Sequence, residues 1–203
     1  MTDTEWQQVI ASVLQGDREA FSQVVRGYQK PIYYYCYHML QHAAEAEDCA
    51  QETFLKLYRS LEKYNNRQSA EAWLYKIAYH QCIDLLRKRK LARYLPFFYQ
   101  RDKDHRHVDQ QIDATYFDEE VHRAMSKLTG EERNLLILRC VEDMSYDKMA
   151  VILQTRPATL RKRYERTAAK FRNYFREVKG ENSYDHRAKG SGAEAALAKK
   201  AAT

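Results

Sequence analysis

The chain has 203 residues, of which only six are glycine and three are proline, and it carries a formal net charge of +6 at pH 7. This length suits one large domain or two small ones, and so few turn-forming residues argue against a β-rich fold. Long stretches of good helix formers instead predict an all-α protein built from two small helical domains.

The N-terminal stretch MTDTEWQQVIASVLQGD is acidic and amphipathic, which is not typical of a secretory signal. No stretch approaches the roughly 18 to 20 apolar residues that cross a bilayer, so we expect no membrane insertion. The cysteines follow no C-x-x-C spacing, and each lies in an apolar, helix-like context: Cys36, Cys49, Cys82 and Cys140. This usage predicts reduced core thiols in a cytoplasmic protein.

Helical periodicity is strong from about residue 5 to 90 and again from about 116 to 178, with an aperiodic, mixed-charge stretch between. We therefore predict one helical domain over 1–95, a linker over 96–118 and a second helical domain over 119–179. Residues 180–203 are polar, then small and Ala-rich, and are predicted to form a disordered tail outside either fold. Residues 121–179 hold 14 basic and 7 acidic side chains, and a module this basic is expected to bind a polyanion, most readily nucleic acid.

The stretch AEAEDCAQETFLKLYRSL predicts an amphipathic helix in the first domain. Its apolar positions, 46, 49, 50, 54, 57 and 61, are predicted to face inward. Asp48, Gln51 and Glu52 fall on the polar outer face. A charged outer face is common on any helix, so these residues predict either a solvated surface or a contact with a partner.

A polar loop, Asn65 to Ser69, precedes the helix AWLYKIAYHQCIDLLRKRK. The apolar stripe of this helix comprises positions 74, 77, 78, 82 and 85, and Trp73 lies at its start. Lys76, Tyr79 and His80 lie off the stripe. The helix ends in a basic run that begins at Arg87, which suits contact with a phosphate backbone.

In the second domain, LTGEERNLLILRCVEDM predicts a helix that begins with a capping box formed by Thr129 and Glu132. A short helix is predicted in SYDKMAVILQ, with Ser145 as its N-cap. Only a few residues separate it from the next helix. Since this turn contains no glycine, we expect Gln154 or Thr155 to adopt any left-handed backbone conformation that it needs.

The helix PATLRKRYERTAAKFR combines an apolar stripe with a basic ridge. The stripe consists of Leu160, Tyr164, Ala168, Phe171 and Phe175. The ridge consists of Lys162, Arg166 and Lys170, flanked by Arg161 and Arg163. A short helix, a tight turn and a basic second helix predict a helix-turn-helix that reads DNA, while a solvated basic face is the alternative.

Few residues indicate catalytic or metal chemistry. His38 and His42 are four residues apart with Cys36 close by, but no carboxylate or third ligand is placed convincingly. The stretch YYYCYHML is more typical of an aromatic core helix, so we expect no metal site and no cofactor. A Gly-rich phosphate loop, a nucleophile-and-base pair and a carboxylate cluster are all missing from the sequence pattern, so we expect a protein that is not an enzyme.

Two blocks of the sequence carry a family resemblance. GDREAFSQVVRGYQKPIYYYCYHML, AEDCAQETFLKLYRSL and AWLYKIAYHQCIDLLRKRK resemble region 2 of the extracytoplasmic-function sigma factors of bacterial RNA polymerase. LTGEERNLLILRCVEDMSYDKMAVILQTRPATLRKRYERTAAKFR resembles their region 4. The resemblance runs from about Gly16 to Phe175, apart from the linker.

The resemblance implies a factor that binds the polymerase core and directs promoter-specific initiation. Region 2 of the family binds the β′ clamp helices and captures the −10 element as single-stranded non-template DNA. Region 4 binds the β flap and reads the −35 element as duplex. The family also implies an anti-sigma factor as a partner.

Carried over by position, the resemblance assigns three sets of residues. The β′-binding set is Asp48, Gln51 and Glu52. The −10 set is Asn65, Asn66, Arg67, Gln68, Ser69, Trp73, Lys76, Tyr79, His80 and Arg87. The −35 set is Thr159, Arg161, Lys162, Glu165 and Arg166.

A dimeric helix-turn-helix regulator that binds duplex operator without polymerase is the alternative function. In that case the N-terminal domain would have to serve as a dimer interface or ligand domain. The polar loop before Trp73 would then have no role, which favours the sigma factor.

Overall fold

The computed structural model of the chain describes residues 1–64, 69–94 and 119–180. Within these ranges the chain is α-helical apart from short connections, and it contains no strand, as the sequence predicts. The longer helices are α1 (Asp3–Leu14), α2 (Phe21–Leu40), α3 (Ala43–Arg59), α4 (Ala70–Tyr94), α5 (Glu119–Ser126), α6 (Gly130–Leu136), α7 (Tyr146–Leu153) and α8 (Pro157–Val178). Short 3-10 turns cover Arg18–Ala20 and Leu61–Lys63, and a π-helical turn, Ile137–Val141, follows α6.

The chain folds into two compact units. Unit 1 comprises Met1–Lys88 and Asp147–Thr155, and unit 2 comprises the described parts of Arg89–Tyr146 and Arg156–Thr203. The domain bounds inferred from the sequence stay predictions. The predicted linker and nearly all of the predicted tail lie outside the described residues, as do four of the five loop residues, 65–68.

Unit 1 begins with a capped helix that packs through an aromatic pair. Thr2 and Glu5 form a capping box at the start of α1, in which each side chain accepts a hydrogen bond from the other's backbone N–H. Trp6 is fully buried, and its indole N–H donates to the hydroxyl of Tyr28 on α2 at 3.3 Å. This bond satisfies the indole donor, which burial would otherwise leave without a partner.

The inward face of α3 confirms most of the predicted stripe. Ala46, Cys49, Ala50, Leu57 and Leu61 are buried, whereas Phe54 is half-buried. Thr53, which the pattern left out, is fully buried instead. Its hydroxyl donates to the carbonyl of Cys49 at 2.7 Å, so a polar residue occupies the core without an unsatisfied group.

The buried stripe of α4 is rotated slightly from the predicted one. Leu74, Ala78 and Cys82 are fully buried as expected, while the predicted core positions 77 and 85 are half-buried. Tyr75 and Ile83 are buried in their place. The burial of Tyr75 is accompanied by aromatic packing, since its ring meets the buried ring of Tyr35 edge to face, with centroids 5.3 Å apart.

Unit 2 is centred on α8, against which α5 and α6 pack. Leu160, Tyr164, Ala168 and Phe171 are buried as predicted, and Phe175 is half-buried and stacked on Phe171. The predicted capping box begins α6: the hydroxyl of Thr129 accepts from the backbone of Glu132 at 3.2 Å, and the Glu132 carboxylate accepts from the backbone of Thr129 at 2.9 Å.

The short connection between α7 and α8 has the predicted backbone. Gln154 has a φ of 50°, so this residue supplies the left-handed conformation for which a glycine is usual. Pro157 is the first residue of α8, where its missing N–H removes no helical hydrogen bond. Within the described part of the chain, no helix is both long and apolar enough to span a membrane.

Candidate nucleic-acid and protein interfaces

The predicted −35 residues share one exposed side of α8, which we call the α8 surface: Thr159, Arg161, Lys162, Glu165 and Arg166. The guanidinium of Arg161 lies 5.4 Å from the centroid of the Tyr146 ring, a cation–π contact that orients the side chain. The Nε of Arg166 donates to the carbonyl of Lys162 at 3.3 Å. The α8 surface thus carries three cations and one acid, on a side of the helix away from the buried stripe.

The basic ridge is narrower than the sequence predicts. Lys170, predicted to lie opposite the apolar stripe, is half-buried, and its Nζ lies 2.9 and 3.0 Å from the two carboxylate oxygens of Glu132. Arg163, predicted to flank the ridge, is half-buried and donates to Glu131 at 3.0 Å. Both acids lie in the first turn of α6, which packs on α8, so these two cations are neutralised within the unit.

The contact with Lys170 affects the pKa of Glu132. Burial alone would raise the pKa of this carboxyl, but hydrogen bonds from Lys170 and Thr129 outweigh burial and hold the pKa below its usual range. The same hydrogen bond raises the pKa of Lys170. This pair fastens α6 to α8, whereas the α8 surface remains available to a partner.

The described −10 residues lie on or next to α4, and we call them the α4 surface: Ser69, Trp73, Lys76, Tyr79, His80 and Arg87. Four of them, from Ser69 to Tyr79, are half-buried, and His80 and Arg87 are exposed. The carbonyl of Ser69 accepts from the backbone of Trp73 at 3.0 Å, which makes Ser69 the entry to the helix. The loop residues Asn65, Asn66, Arg67 and Gln68 lie outside the described residues.

The α4 surface combines rings with basic groups. The Trp73 ring lies 5.2 Å from the Tyr64 ring, just before the loop. A ring nitrogen of His80 lies 2.8 Å from the carbonyl of Lys76, and the His80 ring meets that of Tyr79 at 5.4 Å. Arg87 lies 3.7 Å from Asp84, in an exposed pair that solvent screens. Aromatic faces beside cations are the groups that hold stacked bases and phosphates.

The predicted β′-binding residues lie on the outer side of α3, which we call the α3 surface. Asp48 and Gln51 are exposed and Glu52 is half-buried. The amide of Gln51 donates to the neighbouring Glu47 carboxylate at 3.4 Å. These groups form an acidic, polar strip that suits a basic partner surface.

One arrangement was missed by the sequence analysis. Cys36, Cys49 and Cys82 are scattered along the chain, yet in the structure their Sγ atoms lie within 4.8 Å of one another. Hydrogen bonds from the other two thiols hold the pKa of Cys49 well below its usual range. All three cysteines occupy inward helix positions, which the sequence pattern could show, but sequence alone does not give the distances between them.

His42, one of the two histidines considered as metal ligands, caps α3, where its Nδ1 accepts from the backbone of Glu45 at 3.3 Å.

Comparisons with known proteins match both halves of the chain. Residues 24–92 match the family described as sigma-70 region 2, and residues 118–171 match sigma-70 region 4. The chain is 27% identical over 179 residues to the ECF RNA polymerase sigma factor SigW of Bacillus subtilis, covering 83% of this chain and 96% of SigW. It is 30% identical over 175 residues to the RNA polymerase sigma-H factor of Pseudomonas aeruginosa, covering 80% of this chain and 90% of that protein.

Two solved structures share the fold. CnrH in complex with the cytosolic domain of CnrY aligns with a TM-score of 0.62 at 20% identity, covering 86% of this chain and 97% of CnrH. RpoE in complex with the anti-sigma factor NepR, from Bartonella quintana, aligns with a TM-score of 0.59 at 20% identity, covering 80% and 98%.

Proposed function

The chain belongs to the extracytoplasmic-function sigma factors of bacterial RNA polymerase, and from this premise we propose how its surfaces divide the work of starting transcription. As a sigma factor it binds the polymerase core and promoter DNA, and it directs initiation rather than catalysing a reaction of its own. The observation that carries this function is the match of regions 2 and 4 in the family's order along one chain. The alternative of a polymerase-independent dimeric regulator is not favoured.

The α8 surface is assigned to the −35 element in duplex form. Lys and Arg side chains bind phosphates and the acceptor edges of guanine, while Glu165 is suited to accept from the amino group of cytosine. The exposure of Arg161, Lys162 and Arg166 supports this assignment, since a recognition helix must present its polar side chains to the major groove. Lys170, in the second half of α8, is bound to Glu132. This supports a DNA contact centred on the first half of the helix.

The loop at 65–69 and the α4 surface are assigned to the −10 element in single-stranded form. Strand opening without nucleotide hydrolysis requires protein contacts that replace lost base stacking. Amide side chains such as Asn66 offer both a donor and an acceptor to the edge of a flipped base. Trp73 and Tyr79 provide aromatic faces on the α4 surface, and Lys76 and Arg87 provide charge for phosphates.

The α3 surface is assigned to the β′ clamp helices, and the second domain to the β flap. The acidic strip of Asp48 and Glu52 supports an electrostatic contact, which sets orientation and association rate more than affinity. Because its work requires RNA polymerase, we expect the chain to act in the bacterial cytoplasm. One structural neighbour is bound to an anti-sigma factor, and we expect such a partner for this chain as well.

The decisive experiment is run-off transcription with purified core polymerase and a library of genomic promoter fragments. We expect the chain to direct initiation at defined start sites that share two boxes. Gel filtration with and without core tests the alternative, because a sigma factor co-migrates with core. A dimer bound to duplex DNA without core, together with no defined transcript, would overturn the proposal.

A further inference from the structure

Three thiols, none of them assigned above to promoter or polymerase contacts, converge in the core of unit 1. Cys36 lies on α2, Cys49 on α3 and Cys82 on α4, and their Sγ atoms all lie within 4.8 Å of one another. The Sγ atoms of Cys49 and Cys82 are 3.6 Å apart. All three residues are buried, with exposed fractions of 0%, 6% and 0%. The cluster is therefore a closed, sulfur-lined point where three helices meet.

The sulfur separations match those around a bound metal ion. With metal–sulfur bonds of about 2.3 Å, two thiolates on one ion are about 3.8 Å apart in tetrahedral geometry and about 4.0 Å apart in trigonal geometry. The Sγ atoms of Cys49 and Cys82 are 3.6 Å apart, and no pair of the three Sγ atoms is more than 4.8 Å apart. The tetrahedral and trigonal sulfur separations both lie between these two distances. A disulfide, in contrast, would join two sulfurs at about 2.05 Å and leave the third thiol outside.

We propose that Cys36, Cys49 and Cys82 form a three-thiolate site for a thiophilic d10 cation, with Cu⁺ as the preferred ion. Thiolates are soft ligands, which select Cu⁺ and Zn²⁺ over harder cations. Zinc in structural sites takes four ligands. The cluster contains only the three cysteines among the described residues, and Cu⁺ is satisfied by three thiolates.

Side chains next to the three cysteines pack α2 against α4 and make a bond within α3. Tyr35, next to Cys36, is fully buried and packs edge to face on Tyr75, which joins α2 to α4 beside the cluster. The buried hydroxyl of Thr53 bonds to the carbonyl of Cys49 within α3. Rigid neighbours of this kind pre-position ligands, so little rearrangement is needed when an ion binds.

The position of the site gives ion binding a consequence for the proposed function, on which this step rests. Cys49 directly follows Asp48 of the α3 surface, and Cys82 lies two residues after His80 of the α4 surface. An ion shared by the three thiolates would cross-link the helices that carry the proposed polymerase and −10 contacts. Ion loading would then stabilise the relative placement of those two surfaces.

The test titrates the reduced full-length chain with Cu⁺ under anaerobic conditions, against a chromophoric Cu⁺ chelator, with a parallel Zn²⁺ arm. The variants are Cys49→Ala and Cys82→Ala. Cys140→Ala is the matched control, because Cys140 lies in unit 2 outside the cluster. Circular dichroism verifies that each variant is folded. X-ray absorption of the loaded protein reports the number of sulfur ligands.

We expect one Cu⁺ per chain with sulfur-only ligation in the wild type and in Cys140→Ala. Each core variant should lose at least about 100-fold in affinity, because loss of outer-shell partners alone costs about 10- to 100-fold. Tighter binding of Zn²⁺ through the same three cysteines would overturn the choice of Cu⁺ while supporting the thiolate site. Equal binding by folded Cys49→Ala and wild type, or no binding by either, would overturn the site itself, whatever the run-off assay shows for the proposed function.

Discussion

The ammonium group of Lys170 lies between the two carboxylate oxygens of Glu132, at 2.9 and 3.0 Å, whereas Arg166, one turn earlier on α8, bonds through Nε to the Lys162 carbonyl of its own helix. Two cations of one basic helix therefore have different structural settings. Lys170 joins α8 to the first turn of α6, and Arg166 is exposed. This contrast separates the residues that hold unit 2 together from those proposed to bind DNA.

Replacing Arg166 with alanine should weaken recognition of the −35 duplex without affecting association with core polymerase. Loss of a base contact costs about 1–3 kcal/mol, and loss of a phosphate contact lowers the salt dependence of binding. Fluorescence anisotropy of holoenzyme on a −35 duplex at several salt concentrations measures both effects. Arg176→Ala is the control, since Arg176 is exposed near the other end of α8. Loss of core binding in Arg166→Ala, or equal losses in both variants, would contradict the assignment.

Replacing Glu132 with glutamine should remove the charge of the α6–α8 pair but keep the capping geometry, since glutamine also completes a capping box. We expect a loss of about 0.5 kcal/mol in the free energy of unfolding, because the pair is partly exposed. Glu132→Ala should lose about 1 kcal/mol because the cap is also lost. Urea denaturation of the two variants measures the difference. A double-mutant cycle with Lys170→Gln should give a non-additive energy, and strict additivity would show that the pair is not coupled.

The same carboxyl should make unfolding depend on pH at acid values. The folded-state pKa of Glu132 is lowered, so its contribution to stability is present above the unfolded pKa of about 4.3 and is lost as the pH falls through the folded pKa. In Glu132→Gln this part of the pH dependence should be missing. Urea denaturation of wild type and variant from neutral to acid pH measures the difference between the two curves. Parallel curves would contradict the lowered pKa.

Replacing Gln154 with glycine should stabilise the protein, because Gln154 holds a left-handed φ of 50°. The left-handed conformation costs a residue with a side chain about 1–2 kcal/mol, and glycine removes this cost. Glycine also gives the unfolded chain more conformational freedom, which offsets part of the gain. We expect a net gain of about 0.5–1 kcal/mol in thermal or urea denaturation. Gln15, which also follows a helix but has a φ of −82°, is the control, and Gln15→Gly should be neutral or destabilising. A loss of stability in Gln154→Gly would contradict the strain argument.

The helical fold and much of its core were predictable because buried faces repeat with the helical period. The apolar stripe of α8 and most of that of α3 follow this rule, and the need for a left-handed turn residue followed from the missing glycine. Thr53 was not predictable, since its burial depends on a hydrogen bond to its own helix. Lys170 pairs with Glu132, Arg163 pairs with Glu131, and three cysteines converge. These contacts depend on distances between helices, which the period of a sequence pattern does not give. The exposure of the five α8 surface residues follows from the apolar stripe on the other side of the helix, but their contacts with DNA stay predictions.

Reversing the charge of Asp48 should weaken binding to core polymerase by at least about tenfold, since like charges facing each other across an interface cost several kcal/mol. Asp48→Lys is compared with Glu62→Lys, which makes the same charge change at another exposed position of unit 1. Surface plasmon resonance with immobilised core, at low and high salt, measures the affinities. Equal losses in the two variants would indicate a general effect of net charge and contradict a contact at the α3 surface.

Replacing Asn66 with alanine should impair strand opening more than initial promoter binding. Asn66 lies in the loop outside the described residues, and its role follows from its place in region 2 and from the chemistry of its amide. A captured base recovers about 1–3 kcal/mol by stacking, so loss of the amide contact that positions it should lower open-complex occupancy by roughly 5- to 150-fold. Permanganate footprinting measures open complexes, and gel shift measures closed ones. Asn173→Ala, at an exposed position of α8 about two turns after Arg166, makes the same chemical change and should affect neither. Equal loss of closed and open complexes in Asn66→Ala would indicate duplex binding by the loop, because single-strand capture contributes only after the strands have separated.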